Sequence, residues 1–273
     1  MSLGILTNVA ATYAENNLNQ TQSSLQTVLQ QLSSGSRINS GADDAAGLSV
    51  ADGLKANEAA LTQSAQNAQN GVGLLQTADG ALSQVTNLLD RAVTLATEAA
   101  NGGLTTAQAT AANTEFTSIL TEIGNINTAT NFNSTAVFSA TATNFVVSDG
   151  TTAGTTTISA TTGKVDTTTL GINSDVLTSQ TAAQTALTDI TAAIATVASQ
   201  RGTIGASINQ LSAAANVASS EEVNLSSAET SIRSTNYGQA TSDMAKYEVL
   251  NQTGISALAQ ANSVQKEITK LLQ

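Results

Sequence analysis

The run from Tyr247 to Leu271 constrains the fold more than any other part of the chain. In alternating steps of three and four it passes through Tyr247, Leu250, Gly254, Ala257, Ala261, Val264, Ile268 and Leu271. Every a and d position of a heptad is therefore apolar or small. Such a seam needs a second helix over it, from the other end of the chain or from another copy. Gly254 lies on the seam, where a missing side chain predicts close approach of the covering helix.

The other end supplies a suitable partner. Residues 1–33 read as an amphipathic helix with Leu18, Leu25, Val28 and Leu32 on one seam and Thr21 as its polar member. The stretch Leu32-Ser33-Ser34-Gly35-Ser36-Arg37-Ile38-Asn39-Ser40-Gly41 has turn chemistry. Asp43-Asp44-Ala45-Ala46 then reads as a helix start, because acids favour the positive end of the helix dipole.

Two further helical patterns follow. Leu61, Ala65, Ala68, Val72, Leu75, Leu82, Leu89, Val93 and Ala96 share a face that Asp79 and Thr86 interrupt, and Asn101-Gly102-Gly103 stops it. A shorter helix fits about 105–128, with Ala109, Phe116, Ile119, Leu120 and Ile123 apolar. Residues 129–175 change character to Thr, Ser and Gly. Asn144–Ser148 and Thr155–Ser159, around Asp149-Gly150, predict a small hairpin, and the low complexity leaves an exposed loop as the alternative. The longest helix is expected next, on a seam from Leu187 through Ile190, Ile194, Val197, Ile204, Ile208, Leu211, Ala215, Ala218 and Leu225 to Ile232. Arg201, Glu222 and Glu229 break it, and Ser234–Gly238 loosens the chain before the terminal seam.

This order predicts a mainly α fold. It is a long, rod-like antiparallel helical hairpin or bundle with a small Thr-rich β element at the tip and both termini at one end. The expected domains are a terminal coiled coil of 1–42 with 233–273, and a rod domain of 43–232 with its β or loop element at about 129–175. Charge follows the same division. Residues 1–42 are neutral and 233–273 carry +1, so the middle holds −12 of the chain's net −11. Neutral ends can pack inside a polymer while the acidic middle faces solvent, and contacts that do not close generate a helical filament.

Composition removes several kinds of chemistry. There is no Cys or His, which excludes a thiolate nucleophile, an imidazole base and the usual zinc ligands. No proline interrupts the helices, and aromatics are 3 %. An acidic chain without a basic patch is a poor nucleic-acid binder. No run of about twenty apolar residues predicts membrane insertion. Met1–Leu6 lacks the basic and apolar regions of a cleavable signal. No enzyme activity and no cofactor are expected.

The stretch Leu32–Gly47 closely resembles the N-terminal signature of bacterial flagellin, the filament protein of the flagellum. Asn16-Asn17-Leu18-Asn19 fits that family's opening helix, and Leu258-Ala259-Gln260-Ala261-Asn262 its C-terminal signature. The resemblance covers about 1–140 and 175–273, and is to the short flagellins without large outer domains found in several alphaproteobacteria. It implies a secreted structural protein that polymerises into the swimming propeller. The terminal helices would form the inner core and stay largely unfolded in the free monomer. Implied partners are other copies of the chain, a filament cap protein, hook-associated junction proteins, and the flagellar type III export apparatus with its chaperone. The implied location is extracellular, in the filament, without a cleaved signal. A hook–filament junction protein shares the terminal seams and is the alternative. An enzyme inserted into a flagellin, such as a metallopeptidase, is disfavoured by the short, His-free middle.

Candidate residues follow from both lines. The inner-core polymerisation contacts are Leu18, Leu25, Val28, Leu32, Leu250, Gly254, Ala257, Ala261, Val264, Ile268 and Leu271. The signature turn is Arg37, Asn39, Asp43 and Asp44. Its two acids read as caps rather than catalytic or metal-binding carboxylates, and Arg37 is expected to pair with one of them. Arg201 is expected in a salt bridge, inside the core or at a subunit contact. The resemblance also places the site for the Toll-like innate receptor for flagellin at Asp90, Arg91, Thr94 and Leu95. There the usual Gln and Glu are replaced by Asp90 and Thr94, which implies weak stimulation. It further implies O-linked nonulosonic sugars on the Thr/Ser stretch, with Thr143, Thr151, Thr155, Ser159 and Thr167 as possible acceptors.

Overall fold

The computed structural model describes residues 8–150 and 156–271, with side chains as far as residue 267. The order is α1 (Val9–Ser34), α2 (Ala45–Ala100), α3 (Thr106–Ala129), β1 (Asn131–Phe132), β2 (Thr135–Ala136), β3 (Thr143–Val146), β4 (Thr157–Ala160), α4 (Gln180–Arg233) and α5 (Tyr237–Leu271). The fold is mainly α. By residue contacts the chain divides into two compact units, one of residues up to Lys55 with those from Leu225, the other Ala56–Asn224.

In the first unit, α1 and α5 pack on each other. Asn8 Nδ2 donates to the Ala261 carbonyl, Leu18 faces Gly254, and the Thr235 amide donates to the Gly35 carbonyl. This reversed order makes the pair antiparallel. Asn8 caps α1 by accepting from the Ala11 amide, and Gly35 ends it in the left-handed conformation at φ 72°.

The second unit has a continuous core drawn from the 3–4 seams of α2, α3 and α4. Leu75, Leu82, Leu89, Phe116, Ile123, Ile190, Ile204 and Leu211 are fully buried. Alanines fill the gaps between the long helices at Ala78, Ala92, Ala96, Ala183, Ala186 and Ala193, so a core with few aromatics is still closely packed. Thr105 and Gln108 form a reciprocal capping box that starts α3.

The Thr-rich segment is ordered where it is described. Strands β3 and β4 are antiparallel, with Phe145 opposite Ile158 and Val146 opposite Thr157. Ser64 of α2 holds the hairpin, donating to the Ser148 carbonyl at 2.6 Å and accepting from its amide at 3.0 Å. A smaller hairpin, β1–β2, was not legible as a strand pair. Its turn residues Asn133 and Ser134 have φ of 50° and 63°, the twist that two-residue hairpins require. Val165, Leu170, Ile172 and Leu177 are buried, so this low-complexity stretch contributes core residues as well as surface.

One expectation on helix length is corrected: α2, at 56 residues, is longer than α4 at 54. α4 begins at Gln180, where the Ser179 hydroxyl accepts from the Ala182 amide at 3.3 Å. The break before α5 is real: α4 ends at Arg233, and Asn236 accepts from the Gln239 amide at the start of the next helix.

Candidate assembly surface

The terminal helices carry little charge and many apolar residues, so their faces decide what they can bind. On α1 the partly or fully buried line is Ala11, Ala14, Leu18, Thr21, Leu25, Val28 and Leu32. It contains the four apolar residues the periodicity singles out. On α5 the line is Tyr247, Asn251, Gly254, Leu258, Ala261 and Gln265.

This second line differs from the seam read in the sequence. Tyr247, Gly254 and Ala261 lie on it, but Leu250, Ala257 and Val264 are exposed, Leu250 and Val264 at 43 %. The apolar stripe of α5 is wider than α1 can cover. α1 lies along one edge, bringing in Asn251, Leu258 and Gln265, and the other edge stays bare. Periodicity alone cannot choose between two 3–4 lines that share their a positions. Ile268 and Leu271 lie outside the described side chains.

Periodicity also missed apolar residues off the seam. Val9 (58 % exposed), Tyr13, Leu29, Val249 (65 %) and Ile255 are exposed on the same two helices. Each could have been found as a large apolar residue outside the a/d positions. With Leu250 and Val264 they put large apolar residues on the outside of the pair, among polar ones, as well as at its seam.

The signature turn closes the base of the pair. The Arg37 amide donates to the Arg233 carbonyl at 2.7 Å, and Ser36 and Ser234 form a β-bridge. Tyr237 stands so near Gly35 that an added Cβ would lie 2.9 Å from its hydroxyl. Asp43 Oδ2 accepts from the amides of Ser40 and Asn39 at 2.8 and 3.0 Å. Those bonds, Ser40's first, hold the Asp43 carboxyl below the usual aspartate range. Asp44 Oδ1 accepts from the Gly47 amide at 2.8 Å and caps α2. Asn39 Nδ2 donates to the Ser36 carbonyl.

The expected Arg37 ion pair is not formed. Arg37 Nη2 donates to the Ile232 carbonyl at 2.8 Å, and both Asp43 and Asp44 are turned toward backbone amides. A carboxylate that caps a turn with its own oxygens has little left for a guanidinium, and the last carbonyls of α4 need donors. Arg233 instead reaches Asp52 and Glu229, at 3.8 and 3.5 Å.

Two charge pairs brace the second unit. Arg201 holds Asp79 through Nε–Oδ1 at 2.8 Å and Nη2–Oδ2 at 3.3 Å, joining α4 to α2. Arg91 holds Glu115 of α3 through two bonds of 2.7 and 3.0 Å. Around Arg91, Asp90 and Thr94 are exposed, and Leu95 is buried at 3 %. Of the acceptor candidates, Thr143 and Ser159 are exposed and Thr167 is half-buried, with Ser159 Oγ donating to Asn144 Oδ1 at 2.7 Å. Thr151 and Thr155 lie outside the described residues. Among the described residues no cluster of acids has metal-site geometry, and no helix is long and apolar enough to cross a membrane.

Comparison with known proteins adds to this geometry. Residues 5–143 match the family model for the bacterial flagellin N-terminal helical region, and 187–272 that for the bacterial flagellin C-terminal helical region. The chain is 42 % identical over 139 residues to a flagellin of Serratia marcescens, across 51 % of this chain and 40 % of the relative. It is 38 % identical over 151 residues to flagellin 1 of Proteus mirabilis, across 55 % and 41 %. The matched part thus spans about two-fifths of these relatives' length. Among solved structures, Bacillus cereus flagellin is similar at 29 % identity and TM-score 0.49, covering 56 % of this chain and 88 % of that one.

Proposed function

Because the chain belongs to the bacterial flagellin family, we propose that it is the structural subunit of a flagellar filament and assembles by covering the bare edge of its α1–α5 pair. The supporting observation is the bare edge of α5, Leu250, Ala257 and Val264, with further large apolar residues, Val9, Tyr13, Leu29, Val249 and Ile255, exposed elsewhere on the pair. Packing these against other copies removes them from water at about 25 cal/mol per Å², and repetition without closure extends the polymer. Residues 1–42 with 233–273 form the inner core, and 43–232 the surrounding shell. Leu18, Leu25, Val28 and Leu32 contribute by holding α1 on α5. Leu250, Ala257 and Val264 contribute by touching neighbouring copies, and Ile268 and Leu271 extend that contact toward the C-terminus.

In this reading the subunit leaves the cell through the flagellar type III export route with a chaperone, adds beneath a cap protein, and meets hook-associated proteins at the filament base. The Thr-rich segment faces outward and carries O-linked sugars on residues such as Thr143 and Ser159.

The test is seeded assembly followed by electron microscopy. The intact chain, a chain ending at residue 246, and Leu250→Asp are each incubated with short filament seeds. The intact chain is expected to grow long filaments and the other two none. Leu250 is exposed, so its substitution should leave the helix content of the soluble chain unchanged. Normal filaments from Leu250→Asp would overturn the assignment of the bare edge.

A further inference from the structure

The chain contains two Asn-Gly steps, at Asn70-Gly71 and Asn101-Gly102, and the fold treats them in opposite ways. Asn70 lies inside α2, where Gly71 is buried. A Cβ on Gly71 would meet Leu211 Cδ1 at 2.9 Å and the Phe145 ring at 3.0 Å. The Gly71 amide is held in the helix, and there is no room for the backbone to swing. Asn101 is the first residue beyond the last turn of α2, and both it and Gly102 are exposed. Gly102 adopts φ +66°, which residues with a side chain rarely enter. The Asn101 amide donates to the Glu98 carbonyl at a long 3.3 Å. Among the described residues the structure gives the Asn101 side chain and the Gly102 amide no hydrogen-bond partner.

We infer that Asn101-Gly102 is a site of spontaneous covalent self-modification, at which Asn101 is converted to aspartyl and isoaspartyl residues. The Gly102 backbone nitrogen, on losing its proton to hydroxide, attacks Cγ of Asn101. An N–Cγ bond forms, Nδ2 takes a proton from water and so regenerates hydroxide, the Cγ–Nδ2 bond breaks, and ammonia leaves, giving a five-membered succinimide. Water then opens the ring. Attack at the side-chain carbonyl gives an ordinary aspartyl residue, and attack at the main-chain carbonyl gives the isoaspartyl form, in which the chain runs through Cγ. Glycine in second place leaves the attacking nitrogen unshielded, and the exposed, weakly held turn lets it reach the carbon.

The product differs physically from the starting turn. It places a new carboxylate at the carbonyl end of α2, where an anion is unfavourable, three residues from Glu98. The isoaspartyl form also lengthens the main chain by one carbon beside Gly102, which already abuts the Gln180 side chain. A Cβ there would stand 3.2 Å from Gln180. The α2–α3 connection is therefore loosened in aged subunits.

The experiment uses the soluble full-length chain, held at mildly alkaline pH and sampled over time. Trypsin separates the two sites, since Asn70 falls in fragment 56–91 and Asn101 in fragment 92–164. The expected result is a one-dalton gain that fragmentation places at Asn101, at least about tenfold faster than at Asn70, because reaction inside a helix must wait for local opening. Protein isoaspartyl methyltransferase should label the same fragment. In urea the two rates should converge, which shows that the fold creates the difference. Asn101→Gln should abolish the gain at that position without disturbing the turn. Equal rates at the two sites in the folded chain would overturn the inference. So would the lack of any gain at Asn101 when the urea-treated chain reacts at both.

Discussion

A methyl group added to Gly254 would stand 3.1 Å from Leu18 Cδ1. The two terminal helices therefore pass close to one another where one of them lacks a side chain. Gly254→Ala should change little, because a helix-propensity gain of about 1 kcal/mol is offset by a contact that Leu18 must yield to. Gly254→Leu should wedge α1 from α5 and stop filament growth in the seeded assay. Leu18→Ala in the same chain should restore growth by returning the space. Growth of Gly254→Leu at the unaltered rate would show that close approach is not needed.

Arg201 and Asp79 are bonded in parallel but partly open to solvent, at 37 and 40 %. Their hydrogen bonds, with the Asp79 charge, raise the Arg201 pKa above its ordinary value. Partial exposure screens such a pair, so its coupling should be modest. A double-mutant cycle of Arg201→Met and Asp79→Leu, read by urea unfolding, should give about 0.5–1 kcal/mol. A coupling indistinguishable from zero would leave the pair as geometry without stabilisation.

Asp175 should make the second unit more stable on mild acidification. Burial, and then the nearby Asp189 carboxylate, push its carboxyl above the ordinary aspartate value of 3.8, and its Oδ2 is buried without a hydrogen-bond partner. The folded state holds the proton more tightly than the unfolded chain. The stabilisation is therefore complete below 3.8 and is lost as pH rises through the lifted folded value. Asp175→Asn should raise the melting temperature at neutral pH and have little effect below that range. A melting temperature lowered equally at both pH values would refute it. Asp43 and Glu115, whose carboxyls are held low by Ser40 and Arg91, oppose this trend at the acid end.

Arg91 is engaged with Glu115 and is flanked by Asp90 and Thr94, at the positions where the flagellin resemblance implies a Gln and a Glu for strong receptor stimulation. A cell reporter for the Toll-like flagellin receptor should respond weakly to this chain, and more strongly to Asp90→Gln with Thr94→Glu. Potency of the unaltered chain equal to that of a stimulatory flagellin would refute the prediction.

Most of the helical architecture could be read from residue order. The seam from Leu61 to Ala96, the helix around Phe116 and Ile123, the β3–β4 hairpin and the break at Ser234–Gly238 stand near the expected positions, because each rests on local periodicity or turn chemistry. What local pattern could not supply was the partner of each polar group. Arg37 bonds the Ile232 carbonyl, far away in sequence, because Asp43 is committed to the Ser40 and Asn39 amides. Nor could it reveal that Val165 and Ile172, in a Thr-rich stretch, are buried by distant helices.

The sequence by itself determined that the two ends are amphipathic, nearly neutral helices, since spacing and charge are properties of order alone. Tertiary structure alone decided which edge of the α5 stripe is covered. Tyr247, Gly254 and Ala261 belong equally to a line through Leu250, Ala257 and Val264 and to one through Asn251, Leu258 and Gln265. The choice depends on the rotation of α5 against α1, and the close passage of Leu18 over Gly254 accompanies the second line.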